Sequence, residues 1–253
     1  MICLMSIQPR RRILLAVALV CMVRATWPEN PVAGSSGIAS TTEIVEQMRS
    51  HNQAQAEALK HYKTLRHYMV EYRGFSATIA ARMDLEVNYD SVTGKTFRIV
   101  SLSGSNLLCN KVLKRAIESE KEAAEDKRST ALTTDNYRFQ LAGSENLGGR
   151  PAYILDVEPL IPSKFLYRGK VWVDAADFMV VKMETEPAKN PSFWISRAVI
   201  HYTGAQTGGF WLPHEVRSET KVRIGGTAVM TIDYGSYQVE PHDRVQISGV
   251  RGQ

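Results

Sequence analysis

The chain has 253 residues, 44% of them hydrophobic, and a formal net charge of +5. That length allows a single domain whose core carries stability unaided. Four arginines and no acid fall in the first 25 residues, leaving +1 on the remainder, and no basic stripe with interleaved aromatics replaces the lost charge, so composition argues against a nucleic-acid partner.

Residues 1–25 carry Arg10, Arg11 and Arg12, an apolar run from Ile13 to Val23, and the cleavage-like Val23-Arg24-Ala25. This is the pattern of a secretory signal peptide, too short for a membrane span of about 20 apolar residues. A mature protein starting near Thr26, located in the periplasm and not spanning the membrane, is expected. Val20 stands where a lipobox wants a small residue, so Cys21 is not read as a lipid anchor. Cys3 and Cys21 leave with the signal, and Cys109 remains as the single cysteine, which excludes an internal disulfide. Residues 26–39, rich in Pro, Gly and Ser, read as a flexible lead-in, residues 40–240 as the folded domain, and residues 241–253 as a C-terminal tail.

Ser40-Thr41-Thr42-Glu43 is a capping box that opens a helix, and Ile44, Met48, Gln55, Leu59 and Tyr62 place that helix through about His61. Three strands follow. Tyr68, Val70 and Tyr72 alternate in the first, Ile79 to Tyr89 in the second, and the third runs from about Lys95 to Leu102. Ser105 starts a second helix to about Glu125, with Leu108, Val112, Ala116 and Ile117 on its apolar side, Cys109 near that edge as a buried thiol, and a charged tail over residues 118–122.

From Tyr137 to Val239 the chain reads as a series of antiparallel hairpins, each strand apolar on one side only. The turns are Asn146-Leu147-Gly148-Gly149, Asp174-Ala175-Ala176-Asp177, Thr207-Gly208-Gly209, and Gly225-Gly226, the last read as a two-residue hairpin. About ten strands and two main helices make the fold class α+β, mainly antiparallel β. A one-sided sheet must cover its apolar face with its own helices, a lipid-like ligand or a partner.

The order of parts, with Tyr167-Arg168-Gly169-Lys170-Val171-Trp172-Val173-Asp174, the Phe178 to Glu184 strand, Phe210-Trp211-Leu212-Pro213 and Ile232-Asp233-Tyr234, resembles the outer-membrane lipoprotein-sorting (LolA/LolB-like) superfamily. The resemblance implies a strongly curved, incomplete β-barrel, a half-barrel, whose concave face is roofed by helices and binds acyl chains. It implies as partner an acyl chain, a lipid or a lipidated protein, with envelope proteins as further partners, and a lid-holding arginine to which the sequence alone assigns no position.

No His-Glu-x-x-His, paired-cysteine or Gly-x-Ser-x-Gly pattern occurs, so no catalytic residue, metal or cofactor is assigned, and a non-enzymatic monomer is expected. Ser103-Gly104-Ser105 reads as a helix start and not a nucleophile turn. Met179, Met183, Met230 and Tyr234, on apolar strand faces, are candidate cavity residues, although methionines there also simply fill core. Phe193 and Trp194, in a loop framed by Pro187 and Pro191, either close one end of the core, edge the mouth of the cavity, or form a partner-contact patch. The expected function is a periplasmic lipid or lipoprotein carrier holding acyl chains in an apolar concavity. The alternative is an interaction or sensor module on the same fold with the cavity filled by its own helices.

Overall fold

The computed structural model describes residues 39–125, 127–223 and 225–240. The signal peptide, all of the lead-in except Ala39, and the C-terminal tail lie outside the described residues.

Helix α1, Thr41–Ala58, begins where the capping box placed it, with the Ser40 hydroxyl accepting the Glu43 amide at 3.2 Å. It ends three residues earlier than expected, because β1, His61–Arg73, starts at once. Tyr62, assigned to the helix from sequence, is a strand residue. Its inward neighbours are Thr64 and Arg66, two polar side chains that hide the period-two pattern of the strand's first half. Strand β2, Thr78–Asp90, buries Ala81, Met83, Leu85 and Val87 on alternate positions as read, and β3 spans Gly94–Gly104.

The second helical stretch consists of α2, Asn106–Leu108, a π-helical turn, Cys109–Leu113, and α3, Lys114–Glu125, followed by a short α4, Lys127–Thr130. Cys109 is buried, its thiol facing the Ser103 carbonyl. Then come β4, Tyr137–Leu147, β5, Arg150–Pro159, β6, Tyr167–Asp174, β7, Val180–Pro187, β8, Ile195–Thr207, β9, Phe210–Val222, β10, Thr227–Tyr234, and β11, Gln238–Glu240.

Among the described residues the strands form one antiparallel sheet in the order β3-β2-β1-β10-β9-β8-β7-β6-β5-β4, with β11 paired to β1. The sheet is open, with β3 and β4 as its edges. Each edge strand carries an extra residue against its neighbour: Val100 in β3 and Ala142 in β4 interrupt the register. Helices α1 and α3 lie on the same face, where Ile44, Met48, Leu113 and Ile117 join the inward side chains of the strands in one apolar core. A smaller cluster of Trp172, Val181, Ala152 and Trp211 covers part of the other face.

Two sequence motifs are structural. Asp174, 1% exposed, ends β6 by accepting the amides of Ala176 and Asp177 at 2.9 and 2.8 Å and both arms of Arg150. Gly225 and Gly226 have positive φ, 102° and 87°, as a tight turn requires. The turn is longer than the expected two residues, since β9 stops at Val222 and β10 starts at Thr227. Phe75 packs on Gly225 and Tyr72 donates from its hydroxyl to the Gly225 carbonyl at 2.7 Å, so neighbouring side chains stabilise the wider loop.

Candidate functional site

Period two in β1 turns Arg66 toward the core between Thr64 and Tyr68, leaving it 2% exposed. A buried guanidinium costs several kcal/mol unless paired. Its partner comes from α3: Glu120 lies on the buried stripe of that helix, with Ile117 and Ala123 one turn to either side. The Arg66 Nη1 donates to Glu120 Oε2 at 2.8 Å, and Nη2 lies 3.4 Å from Oε1. Lys95, at the start of β3, donates its ammonium to the same Oε1 at 2.8 Å. Two cations from two strands thus share one helical carboxylate. The Tyr234 ring lies 4.7 Å from the Arg66 guanidinium carbon and adds a cation–π contact. Arg66 Nε has no partner among the described residues.

Burial alone would raise the Glu120 carboxyl, but Lys95 and Arg66 outweigh it and hold its pKa at about 2. Burial likewise opposes the charge on Lys95, and the oxygens of Tyr62 and Glu120 outweigh it, so its pKa lies above the ordinary lysine value. The cluster is fully ionised at neutral pH and pins α3 to the sheet.

Beside this cluster is a cavity of about 380 Å³, within the range of small-ligand pockets. Its walls are the last turns of α1 (Asn52, Gln55, Leu59), the β2–β3 hairpin (Tyr89, Lys95, Phe97), the start of β9 (Trp211, Leu212), Tyr202 of β8, and Glu120, Lys121 and Ala124 of α3. Tyr62 and Tyr89 stack there with centroids 5.0 Å apart. Gln55 fastens α1 to β9 by a two-way pair, its Oε1 accepting the Trp211 amide at 2.8 Å and its Nε2 donating to the Trp211 carbonyl at 3.0 Å. Apolar and aromatic walls with a few fixed polar groups suit a ligand with an apolar body. No group of three or more His, Cys, Asp or Glu among the described residues is arranged to hold a metal.

Of the six candidate positions from sequence, the cavity takes in Met179. Met183 and Tyr234 are buried in the core, Tyr234 against Arg66, and Met230 is half-buried at its margin. Phe193 and Trp194 are 76% and 57% exposed and lie at the opposite end of the sheet, so the structure does not bring them to the cavity. Arg66, Lys95 and Glu120 were missed. The available signal was the even-numbered register of Tyr68, Val70 and Tyr72, which extends back to Arg66. For Glu120, read from sequence as part of a charged tail, it was the three-residue spacing from Ile117.

No protein-family profile matches the chain, and no curated protein sequence is similar to it. Solved structures of the LolA superfamily match it. One, from Nitrosomonas europaea, is 13% identical, with 81% of this chain and 96% of that chain covered and a TM-score of 0.37. A domain described as outer membrane lipoprotein-sorting, from Vibrio parahaemolyticus, is 12% identical over 78% of this chain and 92% of its own, with a TM-score of 0.40. A DUF1329 family protein from Desulfovibrio piger is 12% identical over 80% and 94%, with a TM-score of 0.41. TM-scores this low carry no functional argument. No helix among the described residues is long and apolar enough to cross a membrane.

Proposed function

We propose that this protein is a periplasmic, non-enzymatic carrier that holds an acyl chain, of a lipid or a lipidated protein, against the helix-covered face of a strongly curved half-barrel. The observation that carries the proposal is the apolar cavity bounded on one side by α3, a helix tied down through one buried carboxylate. Burial alone suffices as the driving force, since each methylene contributes about 0.8 kcal/mol, and no catalytic group is needed. The Arg66–Glu120 pair, which ties α3 to the sheet, supports reading Arg66 as the lid-holding arginine that the sequence resemblance implies, with α3 as the element whose release would open the cavity.

The test is titration with a fluorescent fatty acid and with a lipopeptide, for the wild type and for Ala124→Trp, which fills the cavity from α3. Uptake by the wild type at micromolar concentration and about tenfold weaker uptake by the variant are expected. If the wild type binds neither probe, the second reading takes over. That reading, an interaction module closed by its own helices, is favoured by how completely Ile44, Met48, Leu113 and Ile117 fill the face they cover.

A further inference from the structure

Strand direction sorts the connections into two sets. In an all-antiparallel sheet of this order, the β1–β2, β5–β6, β7–β8 and β9–β10 connections share one end, together with the exit from β3 into α2. The remaining strand connections share the other end, where the cavity lies between the β2–β3 turn, Met179 and Trp211.

Exposed large apolar side chains are divided very unequally between the two. The end away from the cavity carries Phe75 (94% exposed), Leu107, Leu160, Ile161, Phe193 and Trp194, each on a connection, whereas the cavity end has Val92 alone among the described residues. The pieces are joined. Phe75 rests on Gly225, the Arg223 amide donates to the Trp194 carbonyl at 2.8 Å, and the Arg223 guanidinium lies 5.3 Å from the Phe193 ring centre. Phe193 and Trp194 meet edge-on at 5.5 Å, and the Ala188 amide donates to the Leu166 carbonyl at 2.7 Å, tying the β7–β8 loop to the β5–β6 loop.

Charge on the four β-hairpin loops at this end has one sign, while the β3–β4 connection brings the exposed Asp135 beside Leu160. Residues 74–77, 160–166, 188–194 and 223–226 contain Lys164, Lys189 and Arg223 and no carboxylate. Lys164 is paired with Glu122 of α3, which leaves Lys189 and Arg223 beside the aromatic tips. Aromatic rings on separate loop tips, one of them the amphipathic Trp194, with Lys189 and Arg223 beside them and no carboxylate on the same loops, match an anionic headgroup layer.

We propose that this end of the sheet docks on a lipid bilayer bearing anionic headgroups, with Phe75, Phe193 and Trp194 seated at the headgroup level and Lys189 and Arg223 facing the lipid charge. The docked protein presents its cavity end to the surrounding solution. The inference does not depend on what the cavity holds.

Cosedimentation of the full chain with vesicles of phosphatidylcholine, with and without phosphatidylglycerol, tests it. The wild type should favour the anionic vesicles, and F75S/F193S/W194S should lower that partition about tenfold or more with unchanged fatty-acid uptake. Lys189→Glu with Arg223→Glu should erase the preference for anionic lipid. The apolar run at residues 13–23 is common to all variants, so the differences report on the loops. Nitroxide-labelled lipid should quench the wild type more than Trp194→Phe, which serves if the triple variant folds poorly. Equal partition of wild type and triple variant, or equal quenching of wild type and Trp194→Phe, overturns the proposal.

Discussion

Replacing Glu120 by glutamine removes one charge and almost no volume, and it leaves two cations facing a neutral amide. Lys95, with 27% of its side chain exposed, has water within reach, but Arg66, at 2%, has none. The cost therefore falls mainly on Arg66 and belongs to the class of broken buried pairs, about 3–5 kcal/mol. For a chain of this size that lowers the melting temperature by about 10 °C. Arg66→Met should be milder, because Lys95 still neutralises Glu120 at 2.8 Å. The double variant Arg66→Met/Glu120→Gln should recover most of what Glu120→Gln alone loses, since the uncompensated buried guanidinium is gone. Urea and thermal melts of the three variants measure this cycle, and hydrogen exchange over residues 114–125 shows whether α3 loosens first. A Glu120→Gln protein that melts within a degree of the wild type, or a double variant as unstable as the sum of the singles, would refute the reasoning.

The same carboxylate gives a pH signature. Its folded pKa of about 2 lies below the ordinary 4.5, so its contribution is present above pH 4.5 and lost as pH falls toward 2. Denaturant melts across that window should show about 3 kcal/mol less stability at the acid end, and Glu120→Gln should lack this part of the slope. Asp174→Ala strips two backbone amides and Arg150 of their acceptor, and should cost about 2–4 kcal/mol in a urea melt while leaving ligand uptake unchanged. Gly226→Ala would push a methyl group against the Arg73 carbonyl at φ 87°, whereas Gly149→Ala, at φ 92°, meets open space. Both should destabilise, by about 1–3 kcal/mol, and the Gly226 variant should melt lower than the other.

Much of the fold was legible because its strands obey a simple rule. The alternation from Ile79 to Tyr89, the Ser40 cap and the glycine-bearing turns each state their local structure within a few residues. The first half of β1 and the role of Glu120 were not legible for one shared reason. Pattern reading assigns charges to water, and an inward charge becomes intelligible only with its partner in view. Arg66 and Glu120 lie 54 positions apart and on different kinds of element, so no local window contains the pair. The exposed aromatics pose the opposite difficulty. Phe193 and Trp194 stand out in sequence, but their grouping with Phe75 follows only from strand directions that put two distant loops at one end.

A sheet that does not close leaves a row of free amides and carbonyls along each side, a ready template for another chain. Here the exposed Ile99, Val100 and Leu102 make the β3 side adhesive as well. The additional residues Val100 and Ala142 fall on these two outermost strands and disturb the even spacing that an incoming strand would need to match. Colloidal behaviour is thereby tied to the geometry of the margins: deletion of Val100 or Ala142 should straighten a border and raise edge-to-edge association, which light scattering of the two variants would register.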